Sequence, residues 1–252
     1  MARYIVVVCR SIFLGLVLVV SVNQAWSNEA KPDLVLYVTE IPGYMGGPAS
    51  RPGILVELVN LVADETGYRI ETKIVPWARA VNKVKTTNNT LVPGFSRLPE
   101  REVNYSWIAP QMAAQSAFLS LTHKINSFEE AKTLNSIGAH RATSHQLELV
   151  RRGFTNVVSV DNVKQTIKML HRRRIDAWYG DVNEYFRRWR DYHGEGAEKL
   201  FVGRIQLSEQ IWLAGNKNLP KKVIRDLQIG MKAVIEKGYR RGLIKKYFGR
   251  EE

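Results

Sequence analysis

The chain of 252 residues is 45% apolar and 24% charged, an ordinary globular composition that excludes collagen, low-complexity disorder and a disulfide-stapled miniprotein. Lys and Arg number 37 against 24 Asp and Glu; this surplus of +13 favours anionic surroundings such as lipid, nucleic acid or charged solutes and says nothing about fold. The single cysteine, Cys9, excludes an internal disulfide.

Residues 1–27 read as a cleavable export signal. Arg3 supplies the positive start, and Tyr4–Val20 is apolar apart from Arg10 and Ser11. Ala25-Trp26-Ser27 then offers small residues at the cleavage-defining positions, predicting a cut before Asn28, with a cut after Ala25 as the alternative. Arg10 shortens the clean apolar run to Ile12–Val20, well under the roughly 20 residues of a spanning helix, which favours cleavage over an anchor. No small-residue triplet precedes Cys9 at the end of the apolar region, which argues against a lipoprotein. Losing Arg3 and Arg10 takes the charge from +13 to +11 and leaves a cysteine-free chain, suited to an oxidising compartment. The predicted location is periplasmic, in a Gram-negative host.

Along the mature chain, Leu34–Thr39 is a continuous apolar run, as in a parallel strand buried on both faces. A Pro/Gly-rich loop, Ile41–Pro48, follows. After Gly53, the residues Ile54, Leu55, Leu58, Val59 and Val62 recur at helical spacing, and Gly67 stops that helix. Arg69–Val75 alternates as a strand does, and Pro76 opens a second helix with Trp77, Ala80, Val81 and Val84 on its buried side. This β-α-β-α order predicts an α/β domain with right-handed crossovers. The pattern returns in the strand Ser136–Ala139, the helix Ser144–Arg151 and the strand Val157–Val160. A helix capped by Asp161 and the strand Ile175–Tyr179 follow. A last helical block runs from Pro220, breaks at Gly238 and closes on Leu243, Ile244, Tyr247 and Phe248. Two α/β units without a disordered connector predict two lobes around a cleft, where small ligands bind.

The templates for catalysis and metal binding are missing. No G-x-S-x-G elbow, P-loop, G-x-G-x-x-G or HExxH occurs, and His123, His140, His145, His171 and His193 read as surface residues. No catalytic residue, metal or cofactor is therefore expected. Three clusters remain. Pro76-Trp77-Ala78-Arg79-Ala80 sets an aromatic and a guanidinium at a strand-to-helix turn facing the cleft, or else Trp77 is core and Arg79 solvated. Ser96-Arg97-Leu98-Pro99-Glu100-Arg101-Glu102 offers an arginine fork for a carboxylate, or else its charges pair on the surface, Glu100 with Arg97 or Arg101. Asp176 and Asp181 frame a strand end where an acid can accept an ammonium; Asp176 alternatively caps, or pairs with Arg172–Arg174.

The export signal, the Tyr-bearing Pro/Gly loop, Pro-Trp-Ala-Arg-Ala, Arg-x-Pro-Glu-Arg-Glu, Tyr105-Ser-Trp-x-Ala-Pro110, Arg174-Ile-Asp-Ala-Trp-Tyr-Gly-Asp181 and the Lys237-Gly-Tyr block resemble, in order, the family 3 bacterial extracellular solute-binding proteins. The resemblance covers residues 31–249. It implies a periplasmic-binding-protein fold of type II, with residues 28–115 and 210–252 in lobe 1 and residues 116–209 in lobe 2. Crossing strands would lie near Ala113–Leu121 and Val202–Leu213. It further implies that Arg101 holds a ligand α-carboxylate, assisted by Ser96, and that Asp181 holds the α-ammonium. Tyr44 would cover the ligand, and Thr143 and Ser144 would offer a helix start to an anionic group. Three positions depart from the pattern: Ala142 replaces a glycine, Pro42-Gly43-Tyr44 replaces Pro-Pro-Tyr, and Thr86–Pro93 replaces Gly-x-x-Asp-Gly.

The leading expectation is a non-catalytic monomeric receptor for an amino-acid-like ligand, serving an inner-membrane ABC permease or a sensor and binding no nucleic acid. A dehydratase-like enzyme on the same fold is the alternative. Polyanion binding through Arg151-Arg152, Arg172–Arg174 and Arg187-Arg188-x-Arg190 is a third, with a solvated surface as the simpler account of those arginines.

Overall fold

Strand β1 (Leu34–Val38) alternates buried Leu34, Leu36 and Val38 with half-buried Val35 and Tyr37, and pairs in parallel on both sides. Its neighbours are β2 (Ile70–Ile74) and β3 (Thr90–Ser96). The charged, mostly exposed residues of β2 suit a sheet edge. Residues 31–161, 163–193 and 199–248 are described by the computed structural model; the export-signal reading of residues 1–27 lies outside them.

At the other end of the sheet, β7 (Ala177–Asp181), β5 (Ile137–His140) and β6 (Val157–Val160) form a second parallel group. Two long antiparallel strands, β4 (Tyr105–Ser120) and β9 (Leu207–Asn216), join the groups, giving the order β2-β1-β3-β9-β4-β7-β5-β6. The short β8 (Phe201–Val202) pairs with β4. Strand β4 pairs β9 from Tyr105 opposite Asn216 to Ser116 opposite Leu207, while Ser116–Ser120 pair β7. One strand therefore belongs to both halves of the sheet.

Helices α1 (Ile54–Thr66) and α2 (Trp77–Thr86) follow β1 and β2, and α7 (Lys221–Glu236) and α8 (Tyr239–Phe248) return to the same end. Their apolar faces join β1, β3 and β9 in the largest core, which contains Leu36, Leu58, Leu213 and Leu227. Helices α3 (Phe128–Lys132), α4 (Ser144–Arg151), α5 (Val163–His171) and α6 (Val182–His193) serve the other half. Its two cores lie on opposite faces of β7, one around Tyr179 and Phe118, the other around Trp178 and Tyr185, as alternation along a strand demands. Strand β7 starts two residues later than the apolar run suggests. The Asp176 carboxylate accepts hydrogen bonds from the Asn135 and Ser136 amides and fixes the turn into β5. Asp176 is thus an anchor for backbone.

The patches at Arg151-Arg152 and Arg188 have internal partners. Arg151 and Arg152 both pair with Glu148, and Arg188 is buried against Glu184 at 3.1 Å. Among the described residues, no helix is long and apolar enough to cross a membrane.

Candidate functional site

The loop after β1 is built around Tyr44. The α1 amides of Ile54 and Leu55, which have no partner within their own helix, donate to the carbonyls of Gly43 and Tyr44 at 2.9 Å. Gly53 permits this approach: its φ is 112°, and a Cβ there would stand 2.4 Å from the Met45 nitrogen. The Tyr44 ring leans on Phe248, and its hydroxyl donates to Asp181 Oδ1 at 2.9 Å. Burial, then the Asp181 charge, keeps that hydroxyl protonated by raising its pKa well above the usual range.

Asp181 ends β7 and is buried. Besides Tyr44, it accepts from the Glu184 amide at 2.8 Å and the Gln115 amide at 3.3 Å. Burial outweighs these bonds, and its pKa is pushed up to about 6.

Arg101 lies opposite in charge. It sits on the 3-10 turn Pro99–Asn104 after β3, and burial pushes its pKa down to about 10. The guanidinium stacks 4.1 Å over Phe95 and donates to the carbonyls of Ser96 and Ala142, both at 3.0 Å. Arg97, four residues earlier, turns outward instead. It forms a two-point pair with Glu102, one contact at 3.0 Å, and lies over Trp107 and Trp212. The ion pair in this turn therefore belongs to Arg97 and Glu102, while Glu100 acts on Arg101 through its charge without an ion-pair contact among the described residues.

Ala142 accepts a second bond, from Trp77 Nε1 at 3.2 Å. Its φ of 61° is the left-handed region that L residues other than Asn and Asp seldom enter. That twist aims one carbonyl from the β5–α4 turn at both Trp77 and Arg101. Thr143 caps α4, accepting from the Gln146 amide and donating to the His140 carbonyl, so its hydroxyl is committed at both ends. The Ser144 hydroxyl faces Ser96 Oγ at 2.9 Å.

Tyr44, Trp77, Ser96, Arg101, Thr143, Ser144 and Asp181 thus line one cavity of about 70 Å³. Arg79 does not. It is exposed on the outer side of α2, the solvated alternative, while Trp77 is both core and cavity wall.

Four further ionisable lining residues are not foreseen by the sequence patterns. His140 and His145, which read as surface residues in the sequence, are turned inward. His140 is buried, with Nε2 3.1 Å from the Asp161 carbonyl, and His145 Nε2 meets Ser116 Oγ at 2.8 Å. Burial lowers both pKa values, that of His145 to about 4, so both rings are neutral at pH 7. Glu184 lines the cavity while paired with Arg188. Glu209 on β9 accepts from Ser96 Oγ at 2.9 Å and Ser144 Oγ at 3.3 Å. Its signal is the alternation Leu207-x-Glu209-x-Ile211, an acid on the inward face of a strand.

No protein-family model matches the chain, and no curated protein matches it either. Solved structures do. A histidine kinase sensor domain with similarity to periplasmic binding proteins superposes with a TM-score of 0.78 at 15% identity, covering 88% of this chain and 98% of that one. The arginine-, lysine-, histidine-binding protein ArtJ of Geobacillus stearothermophilus gives 0.75 at 20% identity, over 88% and 97%. The GluR0 ligand-binding core of Nostoc punctiforme, solved with L-glutamate, gives 0.74 at 17%, over 86% and 100%. At such identities the likeness defines the fold: an α/β architecture of the periplasmic-binding-protein kind.

Proposed function

We propose that the protein is an exported, non-catalytic receptor that closes two lobes over an amino-acid-like ligand. One observation carries this reading. A buried arginine with no carboxylate in ion-pair distance among the described residues and a buried aspartate line the same cavity from opposite halves of the sheet. A zwitterion answers both charges, and a ligand that leaves either unpaired is penalised. Arg101 would take the carboxylate and Asp181 the ammonium under Tyr44, while the Ser96 and Ser144 hydroxyls stay with Glu209. Residues 28–115 and 210–252 would move as one lobe and residues 116–209 as the other, hinging on β4 and β9. About 70 Å³ admits only a few waters, so entry requires the lobes to part.

The export signal supports a periplasmic site of action, and resemblance to family 3 solute-binding proteins supports delivery to an inner-membrane ABC permease by a monomeric carrier. The sensor-domain neighbour supports the second reading, in which the closed receptor signals instead of delivering. A thermal-shift screen against amino acids, polyamines and organic acids tests the receptor reading. A true ligand at 100 times its dissociation constant adds about 2.7 kcal/mol of stability. No shift with any amino acid overturns it, and turnover of a bound compound would move the protein to the enzyme class.

A further inference from the structure

Strand register places two carboxylates on one face of the sheet. Ser116 on β4 stands opposite Asp181 on β7 and Leu207 on β9, and Ala114 stands opposite Glu209. Asp181 and Glu209 therefore flank β4 two strand spacings and two residues apart, about 12 Å between Cα atoms. Both line the cavity. Glu209 receives the Ser96 and Ser144 hydroxyls on Oε1 alone; among the described residues nothing bonds its Oε2 and no cation comes within ion-pair distance, although Arg101 feels its charge.

The charges of the lining do not balance. Glu184 is answered by Arg188, and both histidines are neutral. Arg101 then faces two carboxylates, Asp181 and Glu209. A zwitterionic ligand leaves that surplus negative charge in a closed cavity, which is unfavourable. A ligand with one additional positive group cancels it. The surplus of +11 left after loss of Arg3 and Arg10 works against a cation at long range, but salt screens that repulsion beyond about 8 Å, so selection falls to the cavity.

We infer that Glu209 is a second acidic anchor and that the ligand is an amino acid of net positive charge. The inference rests on the receptor reading and names its substrate class. Calorimetry of the purified protein with L-arginine and L-citrulline tests it, since the two share a shape and differ by one charge. Arginine should bind at least about tenfold tighter, and Glu209→Gln should weaken arginine by at least about tenfold, with the melting temperature as folding control. Citrulline binding as tightly as arginine to the wild type overturns the inference while the receptor reading stands, whether or not the variant folds. A folded Glu209→Gln that binds arginine as the wild type does has the same effect. If no amino acid binds, lysine and arginine included, both readings fall.

Discussion

The Arg101 corner and the Asp181 corner of the cavity are both buried and both charged, yet the protein treats them differently. Asp181 has its lone pairs answered by Tyr44 and two backbone amides, and still titrates near 6. Arg101 spends two of its five N–H donors on carbonyls and keeps an aromatic face beneath it. A buried carboxylate can shed its charge by taking a proton. An arginine cannot at any physiological pH, even with its pKa down at about 10. The cationic corner is thus the fixed pole of the site and the anionic corner the adjustable one.

That difference predicts unequal losses. Arg101→Ala should have the largest effect, removing two charge-assisted hydrogen bonds worth roughly 1.5–3 kcal/mol each and weakening a carboxylate ligand by about two to four orders of magnitude. Arg101→Lys should recover only part, because an ammonium lacks the fork. Calorimetry with melting curves reads both, and unchanged affinity in Arg101→Ala would return that residue to a structural role.

Asp181→Asn should weaken amine-bearing ligands by roughly ten- to a hundredfold and spare ligands without an amine. The pH dependence carries the sign. Asp181 has its pKa raised by folding, so the ligand-free fold binds this proton more tightly than the unfolded chain does, and its contribution to stability falls as pH rises from about 4 to 6. Keeping it ionised at pH 7 costs roughly 3 kcal/mol, because each tenfold tightening of proton binding is worth about 1.36 kcal/mol. An ammonium ligand needs the ionised form, so affinity should drop about tenfold for each further step of one pH unit below 6. Wild type and Asp181→Asn, titrated side by side, should diverge in opposite directions with and without ligand. Parallel curves would mean that Asp181 does not titrate in this range.

A smaller signal comes from Trp77, which reaches across to the Ala142 carbonyl. Ligand-driven opening and closing should change tryptophan fluorescence, and Trp77→Phe should remove most of the change. An equal response in the variant assigns the signal to another of the six tryptophans.

The sequence announced much of the frame because periodicity and Pro/Gly punctuation are local. The helices after Gly53 and Pro76, the break at Gly238 and the β-α alternation all follow from neighbours along the chain. Resemblance, not periodicity, brought Arg101 and Asp181 together. What stayed hidden is the product of register. Nothing local tells that Glu209 shares a face with Asp181 across β4, or that His145 turns inward to Ser116. Arg79 shows the reverse case, a motif residue whose helix phase carries it outward while Trp77, two positions before, goes in.

Ala142 offers the finest test of the comparison, because one strained carbonyl serves the fixed pole. A left-handed conformation costs an L residue other than glycine roughly 1–2 kcal/mol, and glycine in its place adds roughly 0.5–1 kcal/mol of unfolded-state entropy to be lost. Ala142→Gly should therefore change stability by between about zero and 1.5 kcal/mol in the favourable direction, raising the melting temperature by a few degrees at most. The carbonyl is unchanged, so Arg101 and Trp77 keep their acceptor and ligand affinity should move less than about threefold. Ala142→Pro, which cannot adopt positive φ, should instead misdirect that carbonyl and weaken binding as well as folding. A melting temperature in Ala142→Gly several degrees below wild type would mean that the methyl group, not the twist, is what this turn requires.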